Sequence, residues 1–404
     1  MKYSKYIIIV SAFSVALLSF IGCGGKKKTT SSSGPTDPTV GQPAPELPTG
    51  GVKWINSKPL SLKKLRGKVV LIDFWEYTCI NCIRSFPFEK KLYKRYHNDG
   101  FEILGIHDPE FDVAYKTPNV RKAVKRFNLP WPVAADPWFS IWKAYNSHTW
   151  PNYFLIGPKG KLLGHYPGEG HDAQIEKTIQ KQLSKIDKNF DPSKYPIKKQ
   201  NWFSPSCGDM TEETYVGKWY GRGKLQGQGG YQSGVRHFKA GKVPDDGHFV
   251  LTGKWKTAKN GAIFQGTSHS SAPSSLDPVG NNAYPHITLK YHAREIYSVI
   301  NISHAKNDQG VKVYVSQDGH YLTKKNADAD TQFDPQGRSY IMVKNPRMYY
   351  LVLNQKGDDG THVITLWPSK PGLTVNSFTF GNNCTIHFAH LYSHHGGVKR
   401  INSQ

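Results

Sequence analysis

The stretch that most constrains this chain is Asp73-Phe74-Trp75-Glu76-Tyr77-Thr78-Cys79-Ile80-Asn81-Cys82, which follows the apolar run Val69-Val70-Leu71-Ile72. The run predicts a buried parallel strand, and the residues after Cys82 predict a helix. Two cysteines three positions apart then share one face of the first helical turn, close enough to form and break a bond. The free N–H groups and positive dipole end of that turn favour a thiolate on the outer sulfur. This placement predicts thiol–disulfide exchange. A zinc half-site is the competing reading, but no second Cys-x-x-Cys or Cys/His pair stands at ligand spacing nearby. No metal and no cofactor are expected.

Three further features agree. Asp73 interrupts the apolar strand six residues before Cys79. A buried carboxylate is expensive; beneath Cys82 it would have a raised pKa and would take the proton of that thiol during exchange. The plainer alternative is a structural Asp bonded to a backbone amide. Pro87, five positions past Cys82, predicts a kink in the helix. Trp150-Pro151 opens the apolar stretch Asn152-Tyr153-Phe154-Leu155-Ile156. A cis peptide there would face the dithiol and offer the backbone of Trp150 to an extended client segment. Trp75, Tyr77 and Ile80 are expected to shape the rim of the site.

The block resembles thioredoxin-fold proteins of the TlpA/ResA type, and is most similar to the soluble thioredoxin-like part of DipZ proteins. The resemblance is carried by residues 74–85, by Gly105-Ile106-His107-Asp108-Pro109-Glu110-Phe111, by Asn119-Val120-Arg121-Lys122-Ala123-Val124, by Trp150-Pro151 and by Gly168-Glu169-Gly170. It implies a sheet covered on both faces, with an extra strand and helix inserted between Cys79 and Pro151. It also implies that Glu110 lies near the dithiol and tunes its acidity, the alternative being a solvated loop glutamate. Glu76 and His107 are weaker candidates for the same neighbourhood.

With 404 residues, 38% hydrophobic and 13% aromatic, the chain is long enough for two or three domains with proper cores. Its formal charge of +23 suits an anionic surface nearby. No helix-turn-helix, zinc-finger or RNA-recognition pattern accompanies the scattered lysines, so nucleic acid is not an expected partner.

Residues 1–22 read as a signal peptide: Lys2 and Lys5 precede an apolar run over residues 6–21, too short for a comfortable membrane span. Phe20-Ile21-Gly22-Cys23 resembles a lipobox, with Phe20 and Ile21 as departures. Lipidation of Cys23 is expected, an uncleaved signal anchor being the alternative; both place the remainder outside the cytoplasmic membrane. Residues 23–45, rich in Lys, Thr, Ser, Gly and Pro, read as a flexible tether. Of the five cysteines, Cys23 and the redox pair Cys79–Cys82 leave Cys207 and Cys384, expected as a structural disulfide in an oxidising compartment unless both are buried free thiols.

Residues 46–187 form the expected α/β thioredoxin-like domain and residues 188–206 a connector. Over residues 207–384 short apolar runs recur between Gly, Asn, Asp and Pro turns, as in Val311-Lys312-Val313-Tyr314-Val315 with Asp318-Gly319 beyond it. This predicts an all-β sandwich, a jelly roll, followed by a tail over residues 385–404. Glu213-Thr214-Tyr215-Val216-Gly217, Leu251-Thr252-Gly253-Lys254-Trp255, Tyr291-His292-Ala293-Arg294-Glu295 and Phe378-Thr379-Phe380-Gly381 resemble the carbohydrate-binding-module-like sandwich of DipZ proteins. Trp219, Tyr220, Trp255 and Tyr284 are candidates for stacking on a glycan, against the commoner fate of core packing. His387, His390, His394 and His395 read as a surface tail rather than a metal site.

The expectation is thus an extracytoplasmic, membrane-tethered thiol–disulfide oxidoreductase. Its expected partners are protein clients and a separate membrane electron donor of the DsbD/CcdA type, since the electron-relaying membrane unit of DipZ proteins has no counterpart here. The resemblance implies reduction or isomerisation, with cytochrome c maturation or envelope repair as settings, and the uncharged Ile80-Asn81 leans to a reductant. Two alternatives compete with it. One is an envelope glycan-binding lipoprotein whose first domain only docks. The other is a peroxidase, which needs a Pro and a Thr at set spacing before the reactive Cys; only Thr78 is present.

Overall fold

The computed structural model describes residues 37–48, 50–198, 207–218, 224–268, 273, 275–277, 284–302 and 310–385. Residues 1–22, Cys23, Trp219, Tyr220 and the four tail histidines lie outside the described residues.

The first sheet is built around β2 (Val69–Trp75). Beside it run β3 (Phe101–His107) and β4 (Val133–Ala135) in parallel, and β5 (Asn152–Ile156) and β6 (Leu162–Pro167) antiparallel on its other side. With β1 (Lys53–Ile55) the order is β1-β4-β3-β2-β5-β6 among the described residues. Helices α1 (Ile80–Tyr96), α2 (Thr117–Phe127), α3 (Ser140–Ala144) and α4 (Asp172–Ile186) cover it. Successive side chains of a strand point to opposite faces. Val69, Leu71 and Trp75 join the core under α1, α2 and α4, whereas Val70, Ile72 and Phe74 pack with Leu62, Leu65, Ile141 and Tyr145. Asp73 is therefore in register with the face that carries α1. Gly105 shows how tight that face is: a Cβ there would stand 2.9 Å from Nε1 of Trp75 and 3.1 Å from Nε1 of Trp131.

The second domain is an antiparallel β-sandwich whose two sheets share one strand. One sheet contains β7 (Thr214–Tyr215), β8 (Gly234–Phe238), β10 (Gly261–Phe264), β12 (Glu295–Ile302), β17 (Arg347–Leu353) and β19 (Leu373–Gly381). The other contains β11 (His286–His292), β13 (Val311–Gln317), β14 (His320–Tyr321), β15 (Thr331–Phe333), β16 (Ser339–Val343) and β18 (Thr361–Pro368). The long β9 (Phe249–Ala258) pairs with β11 over its first four residues, and from Gly253 onward with β8, then also β10. Gly253 makes the switch. Its φ of +86° is open to glycine, and a Cβ would meet Pro285 at 2.7 Å. A strand that bends from one sheet into the other closes the corner of a sandwich. Apolar side chains of both sheets, among them Leu251, Leu289, Val313, Ile364, Ile296, Leu351 and Phe378, form its core.

A disulfide joins Cys207 and Cys384, 177 positions apart, and so links the two ends of this domain. The two domains also share core: Tyr215, Tyr297, Val299, Met348 and Tyr350 belong to the same buried cluster as α1 and β2.

One expectation is corrected. The tether expected over residues 23–45 ends sooner: Gly41 donates its N–H to Leu162, Gln42 accepts from Leu162, and Ala44 donates to Gly160, at 2.8–3.0 Å. Backbone pairing along the edge of β6 holds this segment in place. Trp255 takes the commoner fate of core packing: it is fully buried against Phe264, and its indole N–H donates to the carbonyl of Thr252. Tyr284 is half-buried beside Trp367 and Tyr314. In the connector, the Tyr195 ring lies 5.2 Å from that of Tyr96 on α1, and its carbonyl accepts from Gln180.

Candidate active site

Cys79 caps α1. Its sulfur accepts the Cys82 N–H at 3.4 Å and donates to the carbonyl oxygen of Trp150 at 3.8 Å, across a Trp150–Pro151 peptide that is cis. Both cysteines are free thiols, Cys79 half-buried and Cys82 only 1% exposed. One sulfur thus faces outward while its partner stands behind it, which is the order an attacking and a resolving thiol require.

The electrostatics differ from expectation. The helix N-terminus does favour a Cys79 thiolate through contacts with Cys82, yet burial outweighs it, and Glu110 and Glu213 add their negative charge, so the Cys79 thiol is pushed up. Burial pushes Cys82 up further, aided by Cys79 and by Asp73. Asp73 is 1% exposed, and burial holds its carboxyl well above the ordinary range. Facing it is Glu89 on α1, fully buried and raised by burial and by Asp73; the Tyr153 hydroxyl donates to Glu89 at 2.9 Å. Two carboxyls in one apolar pocket cannot both ionise easily, so the pair holds a proton to higher pH than free carboxyls would. A proton acceptor whose pKa is raised toward that of Cys82 suits transfer between them.

The structure places the other sequence candidates unevenly. Trp150, Ile80 and Glu110 line a cleft of about 460 Å³ with Cys79. Trp75 and Tyr77 do not reach the rim. Trp75 is fully buried, edge-on to Phe86 and His107, and Tyr77 stacks on His107 with centroids 5.4 Å apart. Their register turns them into the core beneath the loop. Glu76 also faces inward: Oε2 accepts the Thr78 N–H at 2.5 Å, and Oε1 lies 3.7 Å from His107. Both brace the turn that presents Cys79.

The cleft has a second wall that no sequence pattern announced. Met210, Glu213, Tyr215 and Phe380 of the sandwich line it opposite Cys79. From the first domain, Arg84 reaches across to the carbonyl of Phe380 at 2.8 Å.

Comparisons with known proteins agree with this geometry. Residues 39–183 match the Redoxin family model, and residues 211–381 match the Thioredoxin like C-terminal domain model. Protein DipZ of Mycobacterium bovis is 32% identical over 269 residues, 64% of this chain and 35% of DipZ. The thiol-disulfide oxidoreductase ResA of Bacillus thuringiensis is 33% identical over 136 residues, 34% of this chain and 76% of ResA. The chain is a DipZ-related member of the TlpA/ResA-like thiol–disulfide oxidoreductase family. It spans about a third of the length of the DipZ proteins it matches. Protein SUPPRESSOR OF QUENCHING 1 of Arabidopsis thaliana is similar over the first domain as well, 33% identical over 141 residues, covering 35% of this chain and 13% of that protein.

Glu89 is a further site residue that sequence reading missed. Glu89-Lys90-Lys91 looks like a solvated charge run, but Glu89 stands three positions from both Phe86 and Leu92, on the helix face that those two bury. That register was the available signal.

Proposed function

We propose that this chain exchanges thiols and disulfides with protein clients outside the cytoplasmic membrane, tethered by lipid on Cys23. The observation that carries the reading is the half-buried Cys79 sulfur, 3.8 Å from the Trp150 carbonyl at the open cleft, with Cys82 enclosed behind it. The Cys79 thiolate attacks one sulfur of a client disulfide, forming a mixed disulfide and releasing the other client sulfur as a thiolate, which takes up a proton. Asp73 accepts the Cys82 proton, and Cys82 attacks the Cys79 sulfur. The second client thiolate leaves and is protonated, and a Cys79–Cys82 disulfide remains. The client gains two electrons and two protons. Trp150, Pro151 and Ile80 hold the client segment.

Return to the dithiol needs a two-electron donor, assigned to a separate membrane protein of the DsbD/CcdA type. Cytochrome c maturation and envelope repair are settings with suitable clients. Insulin reduction tests the reading: the reduced full chain should precipitate insulin B chain stoichiometrically, and Cys79→Ala should not. Equal activity of the two proteins would remove the dithiol from the reaction.

A further inference from the structure

Tyr215 stands on β7 of the sandwich, yet its phenol donates to Oε1 of Glu110, 105 positions earlier, and at 3.1 Å to Oε2 of Glu213. Its ring packs on Phe111, centroids 6.1 Å apart, inside the apolar cluster shared by both domains. Tyr215, Glu110 and Glu213 all line the cleft that contains Cys79.

We propose that Tyr215 is a positioning residue of the redox site, holding the Glu110 carboxylate against Cys79 so that the second domain sets how readily the nucleophile forms. The proposal rests on the thiol–disulfide reading of this cleft. A buried tyrosine hydroxyl needs an acceptor, but any backbone carbonyl would serve. Here the acceptor is a carboxylate whose charge acts on the reactive sulfur, so the hydrogen bond has an electrostatic consequence. A hydrogen bond to a carboxylate favours its ionised form. Burial and the two carboxylates drive the Tyr215 phenol far upward, which keeps it a donor throughout the working range.

Several titratable groups face the dithiol. Asp73 acts on Cys82 from β2, Glu110 on Cys79 from the loop after β3, and Glu213 on Cys79 from the segment before β7. His148 and Glu212 stand on the cleft wall. Of these, Glu110 and Glu213 are the carboxylates that both oppose a Cys79 thiolate and accept from Tyr215. Without the hydroxyl, the Glu110 carboxylate loses a donor that favours its ionised form and its place beside Cys79. Less negative charge then opposes the Cys79 thiolate, which forms at lower pH. Arg84 joins the domains independently at Phe380, so loss of one hydroxyl does not separate them.

The test is the pH profile of iodoacetamide alkylation of Cys79 in the reduced full chain. Tyr215→Phe and Glu110→Gln should each lower the midpoint and speed alkylation at pH 7 by roughly threefold to tenfold, the effect of a nearby charge lost in a partly dry cleft. The double variant should shift by less than the sum of the two single variants, since Tyr215 acts in part through Glu110. A Tyr215→Phe profile that superimposes on wild type, or a shift that adds in full to that of Glu110→Gln, would overturn the proposal. Should Tyr215→Phe not fold, the infrared band that Glu110→Gln removes at pH 7 decides instead. An ionised carboxylate band is required; a protonated carboxyl band overturns it. Alkylation needs no turnover, so these outcomes are separate from the reading beneath them. Failure of the wild-type dithiol to reduce neutral hydroxyethyl disulfide would sink that reading alone.

Discussion

Nη2 of Arg84, two residues after Cys82, donates to the carbonyl of Phe380 at 2.8 Å across 296 positions of sequence. Nη1 of the same guanidinium donates to Asn81 at 3.0 Å and pairs with Glu169 at 3.4 Å. The dithiol helix is thereby bolted to the sandwich by a residue 2% exposed. Arg84→Ala strands Glu169 and the Phe380 carbonyl, and should destabilise the chain by about 2–5 kcal/mol. Calorimetry should show one transition splitting into two as the domains uncouple. Arg84→Lys should recover part of the loss, because an ammonium cannot reproduce the planar fork.

In the proposed exchange Asp73 receives the Cys82 proton, and an amide cannot. Asp73→Asn should slow resolution of a Cys79 mixed disulfide by about 10²-fold at neutral pH, while the first attack by Cys79 is much less affected. Stopped-flow release of a chromophoric thiol separates the two steps. The deficit should shrink as pH rises toward the pKa of Cys82, where solvent alone removes its proton.

Asp73 and Glu89 have raised pKa values in the folded chain, with burial as the first cause. The folded state therefore keeps a proton that the unfolded chain releases near pH 4. Stability is full below that pH and declines as pH climbs through the folded-state titration of the pair. Asp172, raised by burial to about 6, acts in the same direction over pH 4 to 6. Glu89→Gln keeps an acceptor for Tyr153 and removes one ionisable group. It should flatten the decline of the melting temperature with rising pH, with little effect at pH 4. At this chain size each kcal/mol appears as roughly 2–4 °C.

The disulfide of Cys207 with Cys384 closes 177 positions. In the chain-entropy account a loop of that size contributes about 5 kcal/mol. Replacing both cysteines by serine should lower the unfolding midpoint of the sandwich in guanidinium and leave Cys79 alkylation little changed.

The centre of the first domain was legible because its strand is an apolar run, so β2 falls where Val69-Val70-Leu71-Ile72 puts it and α1 begins at the dithiol. The dithiol, Asp73 and Trp150 stood out because each is an unusual residue where the apolar pattern places it, whereas Glu110 was legible only through the family resemblance, since a loop glutamate on its own reads as solvated. Trp75 and Tyr77 misled. Aromatic residues beside a reactive cysteine suggest a rim, whereas the strand and loop register points them inward. Glu89 and Arg84 were hidden because a single charge on a helix reads as solvated until its partner element is known. Tyr215 and Phe380 fall in stretches that carry the family resemblance, but nothing local ties them to the cleft, since their place there depends on how two domains meet.

The most direct measurement is capture of a client in the resolving-thiol variant. Cys82→Ala, incubated with an oxidised protein substrate and acid-quenched, should yield a mixed disulfide whose peptide map links Cys79 to a client cysteine. Cys79→Ala treated the same way should yield none. Linkage through any other residue, or no linkage from Cys82→Ala under conditions where wild type reduces the substrate, would contradict the account.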